Sequence, residues 1–169
     1  ALMSRGLGDV YKRQLLNVEL ENPKIIDISH EISPFNLIEA AYVIKNAYSN
    51  FPRGSIHIVD IDSEQTPDQS HIVIEMDEHF FICADNGIIS LISSTIKPSK
   101  IFKINIGLHS ANTINNFVKV AAHLQRGGQL NVIGTEIFEI KELTELKPII
   151  KSNNELSLIH ISEPTRHEC

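Results

Sequence analysis

The chain has 169 residues, 42% hydrophobic and 21% charged, the make-up of an ordinary globular domain, and its length suits one domain at roughly 150 residues each. A net charge of −6, from 15 Lys+Arg against 21 Asp+Glu, argues against nucleic-acid or anionic-membrane binding, which call for a basic surplus. No apolar run approaches the roughly 20 residues of a membrane-spanning helix. The two cysteines, Cys83 and Cys169, are too few for a disulfide framework or a cysteine zinc site. Cys83 lies in an apolar run and reads as a reduced core residue, which fits a cytoplasmic location.

Residues 1–14, ALMSRGLGDVYKRQ, do not continue the pattern that follows them. Together with 156–169, LSLIHISEPTRHEC, they resemble translated sequencing-adaptor sequence, carried by DVYKRQ at one end and LSLIHISEPTR at the other. Both ends are therefore set aside as artefact and expected to stay out of the core. The alternation in LSLIHI also permits a strand there. Between them, 15–155 reads as one domain.

Pro23-Lys24 leads into Ile25-Ile26-Asp27-Ile28, a short apolar run typical of a buried strand. Ser33-Pro34 marks a turn. From Asn36, a residue type suited to an N-cap, to Asn50, apolar residues recur at three and four, which predicts an amphipathic helix. Ser55–Ile61 is a second strand, expected to lie parallel and next to the first. Residues 62–70, DSEQTPDQS, form a long polar loop. His71–Met76 and Phe80–Ala84 make a hairpin around Asp77-Glu78, and Asp85-Asn86-Gly87 is a turn. Ile88–Ile96 predicts a short helix, Lys100–Ile106 a strand and Thr113–Arg126 a helix ended by Gly127-Gly128. Strands alternating with helices give an α/β fold: a layered, mainly parallel sheet with flanking helices and one β-hairpin. Ile26, Ile28, Ala41, Ile44, Ile58 and Ile74 are expected in its core.

The eight histidines show no HExxH or i, i+4 pairing, so no metal site is expected. A phosphate loop and a GxSxG elbow are both absent from the sequence. The best candidate for chemistry is the loop 62–70. Ligands of an open α/β sheet sit beyond the carboxyl ends of its strands, where Asp62 falls. A carboxylate there can accept sugar hydroxyls or orient a water; equally, Asp62 can serve as a turn cap. Asp85-Asn86-Gly87 has the same placement, and a simple turn also satisfies it.

The stretches IIDISHEISPFNLIEAAYVIKNAY (25–48), FPRGSIHIVDID (51–62) and HFFICADNGIISLI (79–92) resemble the N-terminal domain of the S-adenosylmethionine (SAM) hydroxide adenosyltransferase family, related to the SAM-dependent fluorinases and chlorinases. VKVAAHLQRGGQLNVIG (118–134) is similar with less specificity. The resemblance implies cleavage of SAM by water or hydroxide at the ribose C5′, giving adenosine and methionine. SAM is then the substrate, no cofactor or metal is needed, and the full-length parent forms a homotrimer. It implies a water-activating Asp-Arg-His trio. A gapless count back from Ile72-Val73-Ile74-Glu75 places its Asp on Asp62, its Arg on Gln69 and its His near Thr113, so two of the three are replaced. Phe35 stands where relatives keep an aromatic near the substrate, and Asp85-Asn86-Gly87 matches a DNG element beside the nucleoside. Family members also carry an early ribose-binding loop, due before Leu15, and a C-terminal β-rich domain. Neither reads in this chain, which is expected to be inactive alone. The replaced pair leaves a second reading open, a non-catalytic adenosine- or SAM-binding relative.

Overall fold

The computed structural model describes residues 2–4, 9–29, 31–33, 35–106, 112–143, 147–150 and 156–159. Strands β1 (Leu2–Ser4), β2 (Asp27–Ser29), β3 (Ile56–Asp60), β4 (His71–Met76), β5 (His79–Ala84), β6 (Lys100–Ile104) and β7 (Gly134–Glu136) form one sheet in the order β2-β1-β3-β5-β4-β6-β7. The pairs β2–β1, β1–β3 and β3–β5 are parallel, while β5–β4, β4–β6 and β6–β7 are antiparallel. Parallel character is thus confined to one half of a mixed sheet, and the β4–β5 hairpin begins the other half. Strands β8 (Lys147–Ile150) and β9 (Leu156–Ile159) pair antiparallel in a separate ladder.

Helices α1 (Asp9–Glu19), α2 (Leu37–Ala47), α3 (Ile88–Ile92), α4 (Thr113–Gln125) and α5 (Leu130–Ile133) cover both faces. The period-two alternation of the strands decides which face each side chain joins. Val59, Ile72, Ile74, Phe81 and Cys83 pack under α2 and α3 with Ala41, Ile44, Ile88 and Leu91. Ile58, Val73, Ile82 and Phe102 pack under α1, α4 and α5 with Leu16, Phe117, Val120 and Ile133. The central strands β4 and β5 are buried on both sides, which is why their sequences read as nearly continuous apolar runs.

Helix α2 starts as its sequence requires. The Asn36 side chain accepts from the Glu39 backbone N–H at 3.1 Å and donates to the Glu39 carboxylate at 3.0 Å. The two-residue link between β4 and β5 has positive φ at both Asp77 (52°) and Glu78 (59°), the turn whose twist matches a hairpin.

Three expectations are corrected. β2 and β3 run parallel but are not neighbours, because β1 lies between them. Residues 1–14, expected outside the core, supply β1 and the start of α1. Tyr11 there stays half exposed, whereas Lys12 is buried against Asp60; the side chains of Val10 and Ile159 lie outside the described residues. Finally, Ile26 is exposed and Ile28 only half-buried, since the run that contains them lies at the open edge of the sheet. Ala41, Ile44, Ile58 and Ile74 are buried as expected.

Candidate active site

The connection from β1 to β2 runs through α1 on one face, and that from β2 to β3 runs through α2 on the other. Connections that leave in opposite directions open a crevice at the carboxyl ends of β1 and β3, the place where α/β sheets bind ligands. A cavity of about 280 Å³ lies there, lined by Ile32, Ser33, Phe35 and the run Asp60–Glu64. That is the lower edge of the range typical of small-molecule sites, roughly 300–1,000 Å³. A second cleft of equal volume lies at the opposite end of the sheet, between α1, α4 and the starts of β2 and β3. Its lining is apolar apart from Lys24, Ser55 and Gln125 and contains no carboxylate that could orient a water.

Asp62 and Phe35 both line the first cavity. Both also hold positive φ, 45° and 57° respectively. Asp tolerates this region; for Phe it is a true outlier. Strained residues gather at functional sites when their surroundings over-determine them. Phe35 is 75% exposed and presents its ring at the rim. The Asp62 carboxylate accepts no hydrogen bond from any described residue, whereas its backbone carbonyl accepts two: from Gln69 Nε2 at 2.7 Å and from Asn86 Nδ2 at 3.2 Å.

The other sequence-selected residues lie beneath or beside the cavity. Asn86 is buried; it also donates to the Ile61 carbonyl at 2.9 Å and accepts from the Ile88 N–H at 3.1 Å, which starts α3. The Asp85 carboxylate accepts from the Lys141 backbone N–H at 2.9 Å, outside the cavity lining. Gln69 spends its amide on the carbonyls of Asp62 and Glu64. The Thr113 hydroxyl donates to the Ser63 carbonyl at 3.4 Å. The structure therefore brings Asp62 and Phe35 to one cavity and makes Gln69, Asn86 and Thr113 supports of the loop that carries Asp62.

Sequence reading missed the polar floor of the site. Asp60 is paired with Lys12 from α1 and accepts from the Ser63 hydroxyl. His71, buried on β4 against the Phe117 ring, donates Nε2–H to the Ser63 carbonyl at 2.7 Å. Burial lowers its pKa, against the opposing pull of that carbonyl and of Asp60, so the imidazole is a neutral donor. The available signal was the pair of aspartates at the end of β3, Val59-Asp60-Ile61-Asp62: alternation sends Asp60 to one face of the sheet.

The remaining strand histidines lie elsewhere. His57 and His79 share a 3.0 Å hydrogen bond at the amino ends of β3 and β5, enclosed by Tyr48, Phe51 and Phe81. Among the described residues no three His, Cys, Asp or Glu side chains gather as metal ligands.

The chain is 34% identical over 106 residues to the (R)-S-adenosyl-L-methionine hydrolase of Methanocaldococcus jannaschii, a match covering 60% of this chain and 40% of that protein. A crystal structure of an uncharacterized conserved protein from Thermotoga maritima superposes with a TM-score of 0.77 at 25% identity, over 90% of this chain and 64% of that one. A conserved hypothetical protein from Thermus thermophilus superposes with a TM-score of 0.65 at 18% identity, over 80% and 57%. The chain thus spans less than two thirds of the length of these relatives. The model of the SAM hydroxide adenosyltransferase N-terminal domain matches residues 6–134, starting inside the stretch set aside as adaptor. On that match, over a sheet whose carboxyl-end crevice holds Asp62, the chain belongs to the SAM hydroxide adenosyltransferase N-terminal domain family.

Proposed function

We propose that this domain is the SAM-cleaving half of an enzyme that uses water to displace methionine from the ribose C5′. The observation that carries this reading is the Asp62 carboxylate, unpaired among the described residues and lining one cavity with the exposed ring of Phe35. In the step, a water oxygen bonds to C5′ and the C5′–S bond breaks. The bonding pair returns to sulfur, which loses its positive charge, and the water proton passes to Asp62 and on to solvent. Adenosine and methionine result. The sulfonium is already an excellent leaving group, so the protein's work is to orient the water and exclude others. Phe35 offers a face to the nucleoside. SAM and water are the only small molecules this step requires. The active form is proposed to be a homotrimer of the full-length protein in the cytoplasm; among the described residues no helix is long and apolar enough to cross a membrane.

The test is chromatography of adenosine and methionine after incubating SAM with the full-length protein. Asp62→Ala is expected to lower the rate by at least about 10²-fold. An unchanged rate would make Asp62 a turn cap and move the search to Glu64, which lines the same cavity. One observation favours the second reading, a SAM- or adenosine-binding protein without turnover: Gln69 and Thr113 face backbone carbonyls, not the cavity. Titration calorimetry showing SAM or adenosine bound, with no methionine released from SAM, selects it.

A further inference from the structure

Asp62 sits in the left-handed region at φ 45° although its carboxylate is held by no described residue, so other groups must fix its backbone. Two side-chain amides do so. Gln69, seven residues downstream, points Nε2 at the carbonyls of Asp62 (2.7 Å) and Glu64 (3.0 Å). Asn86, on the turn after β5, points Nδ2 at the carbonyls of Ile61 (2.9 Å) and Asp62 (3.2 Å) from a buried position. Three carbonyls within Ile61–Glu64 thus accept from two amides, one from the end of the loop and one from the turn after β5. The Asp62 carbonyl takes both.

We propose that Gln69 and Asn86 form an amide clamp that holds the Asp62 peptide at positive φ and so aims its carboxylate into the cavity. This rests on the reading of Asp62 given above and makes Gln69 and Asn86 positioning residues for it. The residue types fit the task. An amide nitrogen carries two protons and can serve two carbonyls at once, whereas a carboxylate of the same shape can serve none. Asn86 has a separable second duty, because its Oδ1 accepts from the Ile88 N–H at the start of α3. Ser63, the next residue along, is fixed independently by the His71 and Thr113 donors to its carbonyl. The clamp therefore acts on the peptides that flank Asp62, at Ile61–Asp62 and Asp62–Ser63.

Two isosteric variants remove the donors and keep the volume. Gln69→Glu leaves the side-chain length unchanged, and Asn86→Asp keeps the oxygen that starts α3. In full-length protein each is expected to lower kcat for SAM cleavage by at least about tenfold while KM stays within about twofold, since the carboxylate is misaimed and the substrate is not. Thermal melts test the clamp without turnover. Gln69→Ala is expected to lower Tm by about 2–6 °C in the native background. In an Asp62→Gly background the same change should cost less than half as much, because glycine adopts positive φ without strain. Equal shifts in the two backgrounds overturn the clamp, as does a kcat unchanged in both isosteric variants. If the unaltered protein neither binds nor cleaves SAM, the functional reading fails alone, and the melts still decide whether the clamp exists.

Discussion

His57 is stacked on Phe81, their ring centroids 4.8 Å apart, and hydrogen-bonded to His79. Burial pushes its pKa down to about 3 from an ordinary 6.5. Between those values the unfolded chain binds the proton that the folded chain refuses, so stability rises with pH across that window. The stabilising share is complete above pH 6.5 and is lost as pH falls toward 3. Urea midpoints measured from neutral to mildly acid pH should fall, and His57→Phe, which keeps a ring over Phe81 but takes no proton, should flatten the slope. A slope unaltered in that variant would assign the acid sensitivity to His79 or His71, both of which burial also lowers. Among single residues, the place of Asp62 on the cavity lining was legible from its position directly after a strand. The work of Asn86 was not. Its contacts with Ile61 and Asp62 span 25 and 24 positions, and arise only because β3 and β5 pair in a particular register.

At the scale of elements, local signals served best where the periodicity was long. Helices α2 and α4 follow their three-and-four spacing, with Asn36 and Asn112 capping them as side-chain acceptors. Asn36→Ala is expected to cost about 1 kcal/mol, read from a urea melt; no loss would mean that Glu39, which also reaches the Ser33 N–H, holds the helix start by itself. The turn at 85–87 is bound to the segment beyond β7. Asp85 and Ser90 accept from the N–H groups of Lys141 and Leu143, and a Cβ on Gly87 would lie 2.3 Å from Leu143 Cγ. With φ at 97°, Gly87→Ala should destabilise by about 1–2 kcal/mol from the backbone alone, and displacing Leu143 adds to that. Hydrogen-exchange protection of the Lys141 and Leu143 amides should fall with it; retained protection would show that the segment does not depend on the turn. This strap was invisible in sequence, because nothing in Ile137–Leu143 marks partners 56 and 53 residues earlier.

For the whole molecule, the decisive arrangement is the order of the parallel strands. The run Ile25–Ile28 suggested a buried strand beside β3, yet β1 occupies that place and leaves β2 at the edge. No local pattern in residues 1–14 announces a strand inside the sheet, and their resemblance to adaptor sequence pointed the other way. The hairpin and its partners, by contrast, carry the core: Phe81 is fully buried on β5, and Phe81→Ala should cost about 3–5 kcal/mol by denaturant melt. A cost below about 1 kcal/mol would mean that the two faces do not share one cooperative core.

The central claim, displacement of methionine by a water that Asp62 orients, is tested most directly by SAM cleavage in water enriched in heavy oxygen, with the products weighed by mass spectrometry. Full-length protein is expected to give adenosine two mass units heavier, with the label on the 5′ oxygen, and unlabelled methionine. The Asp62→Ala protein should form this product at least about 10²-fold more slowly. Adenosine without the label, or label incorporated at the same rate in both proteins, would contradict it.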